Sequence, residues 1–186
     1  MASTSDLYRG AFIRFEGELC LVLEYEHRTP GNLRAFYQVK LRNVRSGKSF
    51  ENRFRAGEAI DFVRVETREY QYLYRSGDMF TLMDNESYEQ IEMSGELFGD
   101  GAGFLKEGMN VVISMDGDNP VYAELPAVIE LEVTYTEPGV RGDTATKTLK
   151  PATVETGAKV SVPLFVNIGD RIRVDPRSGE YLERAK

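Results

Sequence analysis

The sequence predicts an all-β chain of three small barrels. Three observations carry this expectation: short β-branched and aromatic runs cut by glycine-containing turns, no long amphipathic helix, and a charge balance that switches at two points. The 186 residues are 41% hydrophobic, 28% charged and 11% aromatic, which is material for packed cores rather than for a disordered or fibrous chain.

The elements follow in order. Phe12-Ile13-Arg14-Phe15 reaches Glu16-Gly17 and resumes at Leu19-Cys20-Leu21-Val22-Leu23, a hairpin pattern. Phe36 to Leu41 reaches Arg45-Ser46-Gly47-Lys48, and a strand follows through Phe54. Tyr70 to Tyr74 meets Ser76-Gly77-Asp78 and then Met79 to Met83. Val111 to Met115 leads through Asp116-Gly117 to Val121-Tyr122-Ala123. One stretch, Ser87 to Gly108, has room for a short helix around Phe104-Leu105-Lys106-Glu107.

Charge divides the chain more sharply than its total of −7 suggests. Residues 1–64 carry 11 Lys/Arg against 8 Asp/Glu, residues 65–126 carry 3 against 13, and residues 127–186 carry 9 of each. The seams fall at Val63-Arg64-Val65 and Leu125-Pro126-Ala127, so the expected domains are 1–64, 65–126 and 127–186. Pieces of about 60 residues are marginal alone, because small domains bury less of their surface. Between positions 28 and 55 stand Arg28, Arg34, Lys40, Arg42, Arg45, Lys48, Arg53 and Arg55 against Glu51 alone. Alternate strand residues share a face, so several of these cations can line one surface beside Phe36 and Tyr37. In an acidic protein, that local excess reads as a phosphate-binding surface rather than as a merely solvated face.

Other classes are disfavoured by what the chain lacks. No apolar run reaches the roughly 20 residues of a membrane span; even Val128 to Val133 is broken by Glu130 and Glu132. Met1 to Asp6 has neither a basic nor an apolar region, so the expectation is a cytoplasmic protein with no membrane partner. A single cysteine, Cys20, rules out an intramolecular disulfide and a multi-cysteine zinc site. In its apolar run it reads as a small buried hydrophobe. A single histidine, His27, has no neighbouring nucleophile in sequence, so it reads as a packing or RNA-facing residue rather than a general base. Asp116-Gly117-Asp118-Asn119 resembles the start of a calcium loop but lacks the full spacing and terminal Glu, and so reads as a turn. The expectation is a protein with no catalytic residue, metal or cofactor.

Pro30-Gly31-Asn32-Leu33-Arg34 has the chemistry of a hairpin tip: proline fixes one dihedral, while Gly and Asn tolerate positive φ. With His27-Arg28-Thr29 before it and Ala35-Phe36 after it, this segment resembles the functional hairpin of the bacterial elongation factor P family, relatives of the hypusine-bearing factor of eukaryotes and archaea. The resemblance extends over the whole chain. Thr136 to Ala145, Lys150 to Gly157, Val162-Pro163-Leu164-Phe165, Ile168-Gly169 and Asp175 to Tyr181 follow that family's last third in order. Tyr72-Leu73-Tyr74 and Met83 to Glu86 resemble the start of its middle domain.

The resemblance implies an L-shaped molecule: an SH3-like (KOW-type) barrel followed by two OB-type barrels. It implies a monomeric translation factor whose partners are the ribosome, the peptidyl-tRNA in the P site and rRNA. Such a factor enters between the P and E sites when synthesis stalls, notably on consecutive prolines, and positions substrate while the ribosome performs the chemistry. The tip would be Pro30, Gly31, Asn32, Leu33 and Arg34, and the RNA-binding residues Arg28, Lys40, Arg42, Arg45, Lys48, Arg53 and Arg55. Arg141, Gly142, Asp143 and Thr144, with Lys147 adding charge, would form a loop facing the small subunit. The chain departs from the pattern at the tip. Asn32 stands where the family carries a lysine, or in one branch an arginine, that is often modified, and Leu33 stands where glycine is common. An asparagine is not a substrate for lysylation at a side-chain amine. Two other functions stay open: a diverged paralogue serving other stalls or another RNA, and an OB-type single-strand binder acting away from the ribosome.

Overall fold

The computed structural model describes residues 1–139 and 148–186, and in it the chain is nearly all strand. The described residues form three five-stranded sheets. The first contains β1 (Phe12–Phe15), β2 (Glu18–Arg28), β3 (Phe36–Asn43), β4 (Ser49–Arg55) and β5 (Asp61–Val63), in the order β4-β3-β2-β1-β5. The second contains β6 (Glu66–Ser76), β7 (Met79–Asp84), β8 (Gln90–Ser94), β9 (Asn110–Asp116) and β10 (Asn119–Glu124), ordered β10-β9-β6-β7-β8. The third contains β11 (Ile129–Thr136), β12 (Leu149–Val154), β13 (Lys159–Pro163), β14 (Arg171–Asp175) and β15 (Glu180–Arg184), ordered β13-β12-β11-β14-β15.

Period-two patterning places the cores. In the first sheet, register pairs Val39 with Tyr25 and Asn52, Leu41 with Val22 and Phe50, and Tyr37 with His27 and Phe54. Val22, Val39, Leu41 and Phe54 are buried, so this face is the inner one. The N-terminal segment closes the sheet's end. A 3-10 helix at Thr4–Asp6 begins with a capping box at Ser3, and the buried Thr4 hydroxyl donates to the Arg55 carbonyl while accepting from the Gly57 amide. In the third sheet, β11 alternates Ile129, Leu131 and Val133 inward with Glu130 and Glu132 outward. That alternation explains why this apolar run is a half-buried strand. The edge strands β13 and β15 come alongside each other, so this sheet curls toward a barrel.

The helix expected around Phe104 to Glu107 lies elsewhere. A 3-10 segment occupies Gly95–Phe104, and Leu105 leaves it in extended conformation at φ −67°, ψ 129°. Gly99, at φ 59° and ψ −146°, splits the segment, so no continuous helical face develops. Phe98, Phe104 and Leu105 turn inward, and the backbone at Gly101 passes so close to Leu125 and Pro176 that a side chain there would collide. Close backbone packing decides this region, not helical periodicity. Among the described residues no helix is long and apolar enough to cross a membrane.

The chain separates into two compact units, Met1–Arg68 with Ile113–Tyr122, and Glu69–Val112 with Ala123–Lys186. Within the first, Tyr122 meets Phe12 edge-on at 6.1 Å between ring centroids. Within the second, Lys106 and Glu155 form an ion pair at 2.9 Å.

Candidate nucleic-acid interface

The first sheet extends a finger. β2 and β3 pair from Cys20 with Asn43 out to Arg28 with Phe36, leaving Thr29 to Ala35 as the connecting loop. Its base is tied by the Ala56 amide, which donates to the Ala35 carbonyl at 3.1 Å. At the tip, the Leu33 amide donates to the Pro30 carbonyl at 2.9 Å, closing a turn with Gly31 and Asn32 at its corners. Neither corner residue has a positive φ, so the turn is of the type I kind, and the tolerance of left-handed conformations that their identities suggest is not used. Pro30 is half-buried, whereas Asn32, Leu33 and Arg34 are exposed.

Register assigns the finger's outer face. Arg28, Phe36 and Arg55 lie side by side, as do Glu26, Gln38 and Arg53, then Glu24, Lys40 and Glu51, with Arg42 beside Ser49 beyond them. The cations between positions 28 and 55 do share a surface, but that surface is less basic than a linear count suggests. β2 brings Glu24 and Glu26 into it, and both come from outside the basic stretch. Arg28 pairs with Glu26 at 2.8 Å, and this hydrogen bond and charge hold its guanidinium pKa above the ordinary value. Lys40 sits between two glutamates, and Gln38 donates to Glu51 at 2.7 Å. Strand pairing is the signal that finds these residues; counting along the chain does not.

Cations without an ion-pair partner among the described residues remain. Arg53 lies over the Phe36 ring at 4.4 Å, a flat aromatic–guanidinium surface. Arg34, Arg42, Arg45 and Arg55 have exposed or half-exposed side chains with no carboxylate within 4 Å. Arg45 and Lys48 occupy the β3–β4 connection, at the end of β3 opposite the tip. On the inner face near the tip, His27 is exposed and stacks on Tyr37 at 4.6 Å. Cys20 is buried, and burial, with Glu18 adding to it, pushes its thiol pKa up. No group of three metal-ligating side chains occurs among the described residues. The predicted loop of Arg141, Gly142, Asp143 and Thr144, together with Lys147, lies outside the described residues.

Small five-stranded sheets joined in series, the first bearing a long finger with exposed cations and stacked aromatics, define a modular β protein of the KOW-and-OB class. Residues 3–60 match the model of the elongation factor P KOW-like domain, 65–123 that of the elongation factor P OB domain, and 129–184 that of the elongation factor P C-terminal region. The chain is 52% identical over 188 residues to elongation factor P of Chloroherpeton thalassium, with all of both chains covered. Over 188 residues it is 50% identical to that of Flavobacterium psychrophilum, again with full coverage. It is 46% identical to that of Leifsonia xyli over 99% of this chain and 98% of the relative. Among solved structures, translation initiation factor 5A from Methanococcus jannaschii aligns at a TM-score of 0.50 with 21% identity, over 66% of this chain and 89% of that one, a likeness of fold. The chain belongs to the elongation factor P family of translation factors.

Proposed function

We propose that the protein binds the ribosome between the P and E sites and promotes peptide-bond formation at stalls such as consecutive prolines by positioning the peptidyl-tRNA. The finger carries this reading: a tied, turn-closed tip at the end of a two-stranded arm, with Arg34, Arg53 and Arg55, which have no ion-pair partner among the described residues, along it. Such an arm offers charge and orientation, and holding two reactants in register accelerates their reaction without any acid–base group. No catalytic residue is assigned. In this reading the cytoplasmic, monomeric protein works as three modules, 1–64, 65–126 and 127–186, and each family match falls within one of them. Contacts to rRNA and tRNA phosphates fall to Arg28, Lys40, Arg42, Arg45, Lys48, Arg53 and Arg55, with Lys40 weakened by its flanking glutamates. Arg141 to Thr144 face the small subunit.

At the tip, Asn32 and Arg34 together replace the missing lysine. Arg34 contributes more, because its donors are charged and form a fork suited to phosphate. The test is a reconstituted translation reaction on a message with a proline run. The purified, unmodified protein should co-sediment with ribosomes and shorten the pause, and Arg34→Ala should lengthen it again without lowering the melting temperature. A protein that never travels with ribosomes would sink this reading.

A further inference from the structure

The acids of the finger are placed in a pattern. On its outer face, residues paired across β2, β3 and β4 form rows, and successive rows lie two residues apart, about 7 Å. The row nearest the tip, Arg28, Phe36 and Arg55, holds no acid. Glu26 enters the next row beside Gln38 and Arg53, and Glu24 and Glu51 flank Lys40 in the row after that. The row of Arg42 and Ser49 is again free of acid. Two cationic ends are thus separated by a band of three exposed carboxylates.

Strand stability does not account for this band. Lys40 stands between two glutamates, yet neither comes within ion-pair distance of its ammonium, and Glu24 makes no side-chain hydrogen bond or ion pair. Glu26 holds Arg28 through two hydrogen bonds, at 2.8 and 3.0 Å, and Glu51, fixed by Gln38 at 2.7 Å, adds its charge at Arg28. The carboxylates therefore occupy the places beside Arg28 and Lys40 that a phosphate would otherwise take. Row spacing is comparable to that of successive phosphates on a nucleic-acid strand. A strand lying along the finger would have to bring phosphates over the band, where like charges repel. A strand crossing the finger at either end would meet only cations and aromatic surface.

We propose that Glu24, Glu26 and Glu51 are specificity-determining residues that select RNA by its path, admitting a backbone that crosses the finger and rejecting one that lies along it. This rests on the reading that the finger meets RNA, and deepens it by naming the RNA that the finger refuses. Free single strands, which can adopt any path, are the competitors the band excludes.

The test combines Glu24→Gln, Glu26→Gln and Glu51→Gln in one variant. A control of equal charge change combines Glu86→Gln, Glu89→Gln and Glu92→Gln, on β8 and the turn before it. Each protein is titrated against a fluorescent oligouridine long enough to span the finger and, by co-sedimentation, against ribosomes, with melting curves alongside. The finger variant should bind oligouridine at least about tenfold tighter, with a salt slope steeper by about one unit. Its ribosome affinity, and the control's affinity for oligouridine, should change by less than about threefold. Glu24→Gln alone, which removes no bond, should tighten oligouridine binding about threefold and answers the question should the triple variant melt early. Unchanged oligouridine affinity overturns the proposal. An equal gain on ribosomes, or from the control, also overturns it, because the acids would then act through total charge alone. If wild type never travels with ribosomes, the ribosomal reading fails, while the oligouridine comparison still decides this proposal.

Discussion

Glu16 is a non-glycine residue with a positive φ, 52°, next to Gly17 at 84°. The two form the turn between β1 and β2, closed by the Phe15–Glu18 pair, and both corners take the left-handed conformation that a type I′ hairpin needs. A glutamate at the first corner is strained, whereas asparagine accepts that conformation. Glu16→Asn should therefore stabilise the protein by roughly 0.5–1 kcal/mol, read as a higher urea midpoint with unchanged slope. No gain would mean that Glu16 makes a compensating contact in solution. The turn itself was legible in the sequence, because Gly17 follows a polar residue between two apolar runs. The identity of Gly31 pointed the other way: glycine and asparagine suggest positive φ, yet the tip uses neither. Residue type reports what a backbone tolerates, and only the surroundings show whether that tolerance is needed.

At the scale of elements, the Lys106–Glu155 pair joins the loop after the Gly95–Phe104 segment to the turn between β12 and β13. Burial pulls the Glu155 carboxyl pKa up. The Lys106 hydrogen bond, the Glu132 amide and the charges of Lys106 and Arg171 outweigh it, and hold the pKa below the ordinary carboxylate value. A carboxylate with a depressed folded pKa stabilises above its unfolded pKa, near about 4.3, and that stability is lost as pH falls through the folded value. Because both side chains are partly exposed, Glu155→Gln should destabilise by only about 0.5–1 kcal/mol at pH 7, with the difference shrinking as the solution is acidified to pH 3. Urea titrations at the two pH values measure this, and a difference that persists undiminished at pH 3 would contradict the ion-pair account. Elements with period two were readable at β1 to β4, β6, β7, β9 and β10, whereas β5 and β8 drew no such reading. The Gly95–Phe104 segment was not, because its position follows from close backbone packing at Gly101, which leaves no periodic trace. The acids of the finger were equally hidden, since Glu24 and Glu26 join the basic face only through the pairing of β2 with β3.

For the whole molecule, the decisive quantity is where charge sits rather than its sum. A net −7 opposes binding to RNA at long range, so in the proposed reading ribosome association depends on the local cations of the finger and weakens as salt screens them. The structure sorts those cations. Arg28 is paired with Glu26 and Lys40 is flanked by Glu24 and Glu51, while Arg42, Arg45 and Arg53 have no acidic partner within ion-pair distance among the described residues. Each cation that neutralises one phosphate contributes close to one unit to the slope of log affinity against log salt. Replacing Arg42, Arg45 and Arg53 by Glu should thus lower ribosome affinity at least about tenfold and flatten the salt slope by about two to three units. The same three-charge reversal at Arg68, Arg75 and Lys106, the basic residues of the acidic stretch 65–126, should change affinity by less than about threefold. Co-sedimentation across a salt series, with melting curves to confirm that both variants fold, separates the outcomes. Equal losses from the two sets would mean that the ribosome senses total charge and that the finger is not the interface.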